Sequence, residues 1–562
     1  MISHRKSIYT AVFILIFVFT LASIATGQII RTTSEDSSFA IYTSHEEMIE
    51  FLEKIQKTTT EMTLSEFGTT LEGRVQPYAI FSRPLVTKPW EAMTSGKPIV
   101  VLAANIHGGE RTVRESLLLL VRELATKGTE MNNLLDKLVV LIVPSINPDG
   151  FAHGTRGNST GQDMNRDWVK LEQPALQNYI QNIIHTWHPH VFLDAHNGGS
   201  RPYNICYQGP GNAAGDQRLT DLCDQELFPF IDQEMLKNGY KSWYYSGGDS
   251  TRWTTAPTFI RGSIGYGGIT NSIAILFESP GQDRETGARS GLVASEAILK
   301  YVTNNAEKVM MTVDRARRET IEMGQNATGD IVVQMKKGPK PYKVSYEIIP
   351  RRPRGAGAGR GAGGGGGGAA QQQQQPVLIT GADLINEPIP IKTRPRPYAY
   401  ILEPRARKAV DMLKRHKIRI EILQEETEIS IEAYDMIRLD RASVHDHPAA
   451  ADSVIVAEEM VKETRTFPKG TFIIRTGQVL GRLASHLLEP ESGENVITWN
   501  TMDSILPRIR SAGRGRAGIP PTAGGQRAGA GQTQTQPERR PAIIPIFKLM
   551  IPTPLPTKIL EY

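Results

Sequence analysis

Four short runs of apolar residues constrain the fold of this chain most: 99–104, 138–144, 191–194 and 273–277. None alternates between apolar and polar residues, so none has a face to offer to water. Runs of this kind are buried on both sides, as the inner strands of an α/β sheet are. Segments with helical spacing separate them, notably 114–125 and 176–187. A further helix is expected at 44–57, where Ser44 stands as N-cap, acids follow in the first turn and apolar residues recur at helical spacing. Strands and helices in this alternation predict an α/β domain in layers.

Each run delivers polar residues at its end, the edge of an open sheet where ligands gather. The first leads into Asn105-Ile106-His107-Gly108-Gly109-Glu110, and the third into Asp194-Ala195-His196-Asn197. The spacing of His107 and Glu110 is expected to put both on one side of a helical turn, within reach of one ion. Two histidines and a glutamate, with a fourth position open to water, are the ligand set of a catalytic zinc. With only two cysteines, Cys206 and Cys223, a metal site has to use histidine and carboxylate, and a disulfide-dense scaffold is excluded. Those two could pair in an oxidising compartment or stay as thiols. Most of the 12 histidines are expected in surface or packing roles, with His185, His188 and His190 at a helix end or loop. The second run leads into Asn147-Pro148-Asp149-Gly150, a turn signal, then Thr155-Arg156-Gly157-Asn158 and Asp163-Met164-Asn165-Arg166-Asp167. The fourth ends in Phe277-Glu278-Ser279-Pro280. A metal-assisted hydrolysis needs a nearby carboxylate to move protons, which Glu278 offers, and arginines to stabilise an oxyanion or clamp a carboxylate.

In this order the motifs resemble those of the carboxypeptidase A-like zinc carboxypeptidases, over about residues 37 to 305. The matching pieces are the opening helix, Leu71-Glu72-Gly73-Arg74, HxxE, NPDG, the NRD triplet, the second histidine and FES. The resemblance implies a mixed central sheet sandwiched by helices and one Zn2+ held by His107, Glu110 and His196. It implies Glu278 as general base, Arg156 as the group that polarises the scissile carbonyl, and Asn165 with Arg166 as the grip on a terminal carboxylate. Asp163 would orient the first zinc histidine. Tyr266, 12 residues before Glu278 and flanked by glycines, is the candidate for the family's mobile active-site tyrosine. The implied reaction is hydrolysis of the C-terminal peptide bond of a peptide with a free C-terminal carboxylate. A same-fold amidohydrolase of cell-wall or modified amides is the alternative. A non-catalytic carboxylate-binding module should lack a ligand or the base, and here all four residues are present.

The catalytic region is expected to span 37–328, followed by a smaller α+β domain at 329–562 that resembles the accessory C-terminal domains of some bacterial members. In that domain 449–464 and 476–488 read as helical or mixed, 543–550 as a last strand, and His486 and Glu489 as helix surface. Two Gly, Ala and Gln-rich stretches, 351–376 and 511–541, bury too little apolar area to order and read as flexible inserts. Residues 1–25 have the basic start, short apolar core and small-residue end of a secretory signal, so the expected location is periplasmic or secreted, without stable membrane insertion after cleavage. Residues 8–25 sit at the lower edge of spanning length, so an uncleaved signal would act as an N-terminal anchor. The net charge of +5 is too mild for a nucleic-acid partner, and none is expected.

Overall fold

The computed structural model describes residues 29–350, 375–443, 450–507 and 540–561. The signal-like leader and nearly all of the two low-complexity inserts lie outside the described residues. The first ten strands are β1 (Met62–Thr69), β2 (Val75–Phe81), β3 (Ile99–Ala104), β4 (Val139–Val143), β5 (Val191–His196), β6 (Ile205–Gln208), β7 (Ser242–Tyr244), β8 (Ser246–Gly248), β9 (Arg252–Thr255) and β10 (Ile273–Glu278). Eight of them form one mixed sheet in the order β1-β2-β4-β3-β5-β10-β6-β7. The four apolar runs are its centre: β4, β3, β5 and β10 run parallel, and every residue in them is buried. Helices Thr112–Ala125 and Arg284–Asn304 pack together on the sheet. The mixed sheet flanked by helices is the expected fold class.

The expected helix at 44–57 runs His45–Gln56, with Ser44 and Glu47 closing a capping box. NPDG departs from expectation. It opens a short helix, Pro148–His153, rather than a simple turn: the Asn147 side chain accepts the Gly150 N–H at 2.9 Å and Pro148 takes the first helical position, where a missing N–H costs nothing.

Beyond residue 329 the chain forms two structures. β11 (Asp330–Ile348) and β12 (Val377–Pro395) make a long antiparallel pair, and β12 continues into β9 by parallel pairing of Asp383–Ile385 with Arg252–Thr254. This four-stranded sheet, β11-β12-β9-β8, ties the second half of the chain to the first. The other structure is an eight-stranded sheet, among the described residues, that includes Ala399–Leu402, Thr427–Ser443, Phe472–Arg475 and Ile543–Leu549, with helices Arg407–Arg415 and Gly481–Leu488. In place of a helix, the described residues of 449–464 form parts of two strands, Ala450–Val456 and Val461–Phe467, because both pair with Thr427–Ser443. His486 and Glu489 are buried rather than on a helix surface. For Glu489 the reason is Lys548, fully buried, whose ammonium lies 2.9 Å from it, while the Tyr400 and Tyr434 hydroxyls donate to the same carboxylate. Cys206 and Cys223 are both buried free thiols.

Candidate metal centre and active site

The site is built at the carboxyl ends of β3, β5 and β10. Just after β3, Asn105 takes a left-handed conformation (φ 62°), which asparagine tolerates better than most residues. Its side-chain amide donates to the carbonyls of His107, Gly108 and Glu110, each at 3.0 Å, and so folds the His107–Glu110 corner. That corner is a turn closed by Glu110 N–H to His107 O, ahead of the helix that begins at Thr112, so the pair does not sit on a helical turn as the spacing suggested. At Gly108 a Cβ would lie 1.9 Å from the Gly150 carbonyl carbon, so this close crossing of two backbones admits only glycine. The same corner bonds to the next loop through Gly109 N–H to Thr155 O (2.7 Å), which draws Arg156 to the site.

His107, Glu110 and His196 come together with one ligand atom from each within 4.8 Å of the others. The two Nδ1 atoms are 3.0 Å apart, and the Glu110 oxygens stand 3.0 Å from His107 Nδ1 and 2.8 Å from His196 Nδ1. The far side of each ring is held by a carboxylate: His107 Nε2 lies 3.0 Å from Asp163 and His196 Nε2 lies 2.8 Å from Asp194. Donation of the outer N–H to these acids leaves both Nδ1 lone pairs aimed at the carboxylate between them. That donor set fits a divalent cation with nitrogen and oxygen preference such as zinc. Asp194 was not singled out from the sequence. Its signal is the DxH spacing, which puts residues two apart on the same face of β5.

Glu278 ends β10 in register with His196 on β5, so the two side chains are neighbours. A Cβ on Gly198 would come within 2.4 Å of the Glu278 carboxylate, so glycine there makes room for the acid. Burial pushes the Glu278 carboxyl up to about 7; the histidine charges pull it down while Glu110 and Asp194 add to the rise. Arg156 donates to Asp163 (3.0 Å) and reaches Glu110 (3.2 Å). Asn165 and Arg166 follow Asp163 in a short turn, with the Asn165 N–H bonded to Asp163 at 2.9 Å. His107, Glu110, His196, Glu278, Arg156, Asn165 and Arg166 line one cavity of about 590 Å³, with Asp163 and Asp194 behind it.

Tyr266 is not among them. It is fully buried in helix Ser263–Ile269, and its hydroxyl bridges His185 (2.7 Å) and His416 (2.8 Å), so neither exposure nor freedom to move is left to it. A different phenol, Tyr245, lines the cavity, and burial with the nearby Glu278 and Glu110 charges pushes it up to about 12. No motif surrounds Tyr245, so its place at the end of β7 could be found only in the fold.

A mixed α/β sheet that brings two imidazoles and two glutamates together at its strand ends fits a metal-dependent hydrolase. Comparison with known proteins narrows the class. Residues 48–214 match the zinc carboxypeptidase family, a span that holds the three candidate ligands, Arg156, Asp163, Asn165 and Arg166 and stops short of Glu278. Carboxypeptidase 2 of Trichophyton rubrum is 24% identical over 501 residues, 82% of this chain and 85% of that protein. Carboxypeptidase E of Caenorhabditis elegans is 34% identical over 158 residues, 25% of this chain and 32% of its own length. Among solved structures, a metallo-carboxypeptidase from Burkholderia cenocepacia aligns with a TM-score of 0.37 at 24% identity, over 46% of this chain and 69% of that one. The chain carries a zinc carboxypeptidase domain and is a peptide hydrolase of that class, with zinc as its metal. Among the described residues no helix is long and apolar enough to cross a membrane.

Proposed function

We propose that this protein is an exported carboxypeptidase that removes the last residue of peptides, with Glu278 as proton carrier. The observation that carries the reading is the convergence, in one cavity, of the three candidate ligands, a buried carboxylate beside them and the Asn165–Arg166 pair. His107, Glu110 and His196 would hold the ion, which when bound makes water acidic enough to react near neutral pH and polarises a carbonyl. Asn165 and Arg166 orient the substrate by its terminal carboxylate, a planar group that a guanidinium binds bidentately. That contact restricts cleavage to the last bond. Glu278, with its affinity for protons raised by burial, takes a proton from the attacking water and returns it to the departing amine. Arg156 stands over Glu110 and Asp163, where its free N–H groups can meet the oxyanion as it forms. Tyr245 is the phenol in reach of the reacting groups.

Export rests on the signal-like leader at 1–25. The division into a catalytic part (37–328) and a second part (329–562) is part of the same reading, with β12 as the seam. The test is turnover of blocked dipeptides with and without a chelator. Glu278→Gln should lower kcat by about 100- to 10,000-fold with zinc content retained, the usual range for a lost general base. Full activity of that variant, or no turnover by the zinc-loaded native protein, refutes the proposal.

A further inference from the structure

One wall of the cavity is shaped from the second half of the chain. Residues 254–261 form that wall. They are held by β12 through the Thr255 hydroxyl on Asn386 (2.8 Å), by Lys337 of β11 on the same hydroxyl (2.7 Å), and by Glu494. Glu494 is buried and lies far beyond the family match. Its carboxylate accepts the backbone N–H of Arg261 at 2.6 Å and also the Arg261 guanidinium. The ion pair is nearly closed to solvent, with side-chain exposures of 12% for Arg261 and 6% for Glu494. The guanidinium lies over the ring of Phe259 at 4.1 Å.

Arg261 and Arg166 open into the same cavity. The segments that carry them are joined: Trp168 N–H donates to Arg261 O, and Ser263 N–H donates to the Asn165 side chain at 3.0 Å. Burial pushes the Glu494 carboxyl up to about 7, while Arg261 first and Arg166 after it pull the other way, so the acid stands in the field of both cations. In the carboxypeptidase reading a terminal carboxylate engages Arg166, and the side chain beside that carboxylate would face a cavity lined by Phe259, Ile264 and Leu276 and by a second cation already matched by an anion behind it.

We propose that the Arg261–Glu494 pair sets the charge preference of the pocket for the last residue of the substrate. With both members present the pocket is neutral and apolar, and it takes uncharged C-terminal residues such as leucine or phenylalanine. In a desolvated pocket an unmatched charge attracts its opposite and rejects its like, so removing the anion re-aims the preference. Glu494→Gln leaves Arg261 unmatched and favours acidic last residues; Arg261→Gln takes away the cation that keeps the buried Glu494 charged, so the acid takes up a proton and the pocket stays neutral near pH 7.

The inference rests on the carboxypeptidase reading, and one experiment separates the two. Blocked dipeptides ending in Leu, Phe, Glu and Lys are assayed with the native protein and both variants, each loaded with zinc and checked for folding by its thermal midpoint. The native protein should prefer Leu and Phe. The Glu:Leu ratio of kcat/KM should rise about tenfold in Glu494→Gln, the scale of one charged contact made or lost. Arg261→Gln should keep the native preference at pH 7 and gain on the Lys substrate only at higher pH. If Glu494→Gln does not fold, the Glu:Leu ratio of Glu494→Met decides. An unchanged Glu:Leu ratio in the Glu494 variant, or a native protein that prefers a charged last residue, overturns the inference. A native protein that cleaves none of the four overturns the carboxypeptidase reading instead.

Discussion

Asp194 gives the sharpest test of how the metal site is held, because it touches so little else. Its carboxylate is buried; one oxygen lies 2.8 Å from His196 Nε2, and the other has no hydrogen-bond partner. Asp163, by contrast, holds His107, Arg156 and the Asn165 N–H together, so its loss would disturb metal and substrate groups at once. Asp194→Asn keeps the volume and one acceptor oxygen but removes the charge. Replacing a charged hydrogen bond by a neutral one costs about 1 kcal/mol, or roughly fivefold in zinc affinity. Asp194→Leu removes the acceptor as well and releases the ring to the tautomer with Nδ1 protonated; loss of such an outer carboxylate costs about 10- to 100-fold, or roughly 1.4–2.7 kcal/mol. Competition against a chromophoric chelator gives the affinity series. Zinc affinity within twofold of native in Asp194→Leu would refute the account.

Gly198→Ala puts a methyl group 2.4 Å from the Glu278 carboxylate; kcat should fall about tenfold or more through the displaced acid, with zinc content unchanged, as metal analysis beside steady-state kinetics would reveal. Glu296, half-buried, is pushed up to about 7 by burial, with Glu123, Glu130 and Glu234 adding to the rise against Lys300. A raised folded value means that its stabilisation is present below the unfolded value of 4.5 and is lost as pH climbs through 7. Glu296→Gln should therefore match the native midpoint near pH 4 and exceed it at pH 8 by about 1–2 kcal/mol after solvent screening; equal midpoints at both pH values would exclude this. Lys548→Met strands the Glu489 carboxylate in the core with two tyrosine hydroxyls for company, and denaturant unfolding should register a loss of about 3–5 kcal/mol.

The metal trio was legible because each member sits where chain direction alone puts it. A run buried on both faces has to be an inner strand, and the first polar residue past its end has to emerge at the sheet's carboxyl edge. His196 and Glu278 need no loop at all, being the last residues of β5 and β10. Asp194 was equally readable in principle, through the period of two along a strand. Local spacing misled where a tertiary partner decides: HxxE takes a turn because Asn105 gathers three carbonyls, and Tyr266 is buried because two histidines from distant segments, His185 and His416, claim its hydroxyl. The wall at residues 254–261 was out of reach for a different reason. Thr255 and Arg261 are held by Asn386, Lys337 and Glu494, residues between 82 and 233 positions away, and no periodicity encodes such a pairing. The chemistry of this chain therefore lies in short strand-end motifs, whereas its selectivity depends on contacts between its two halves. Substitutions across β12 or around Glu494 should alter which peptides are cut well before they alter whether a bond can be cut.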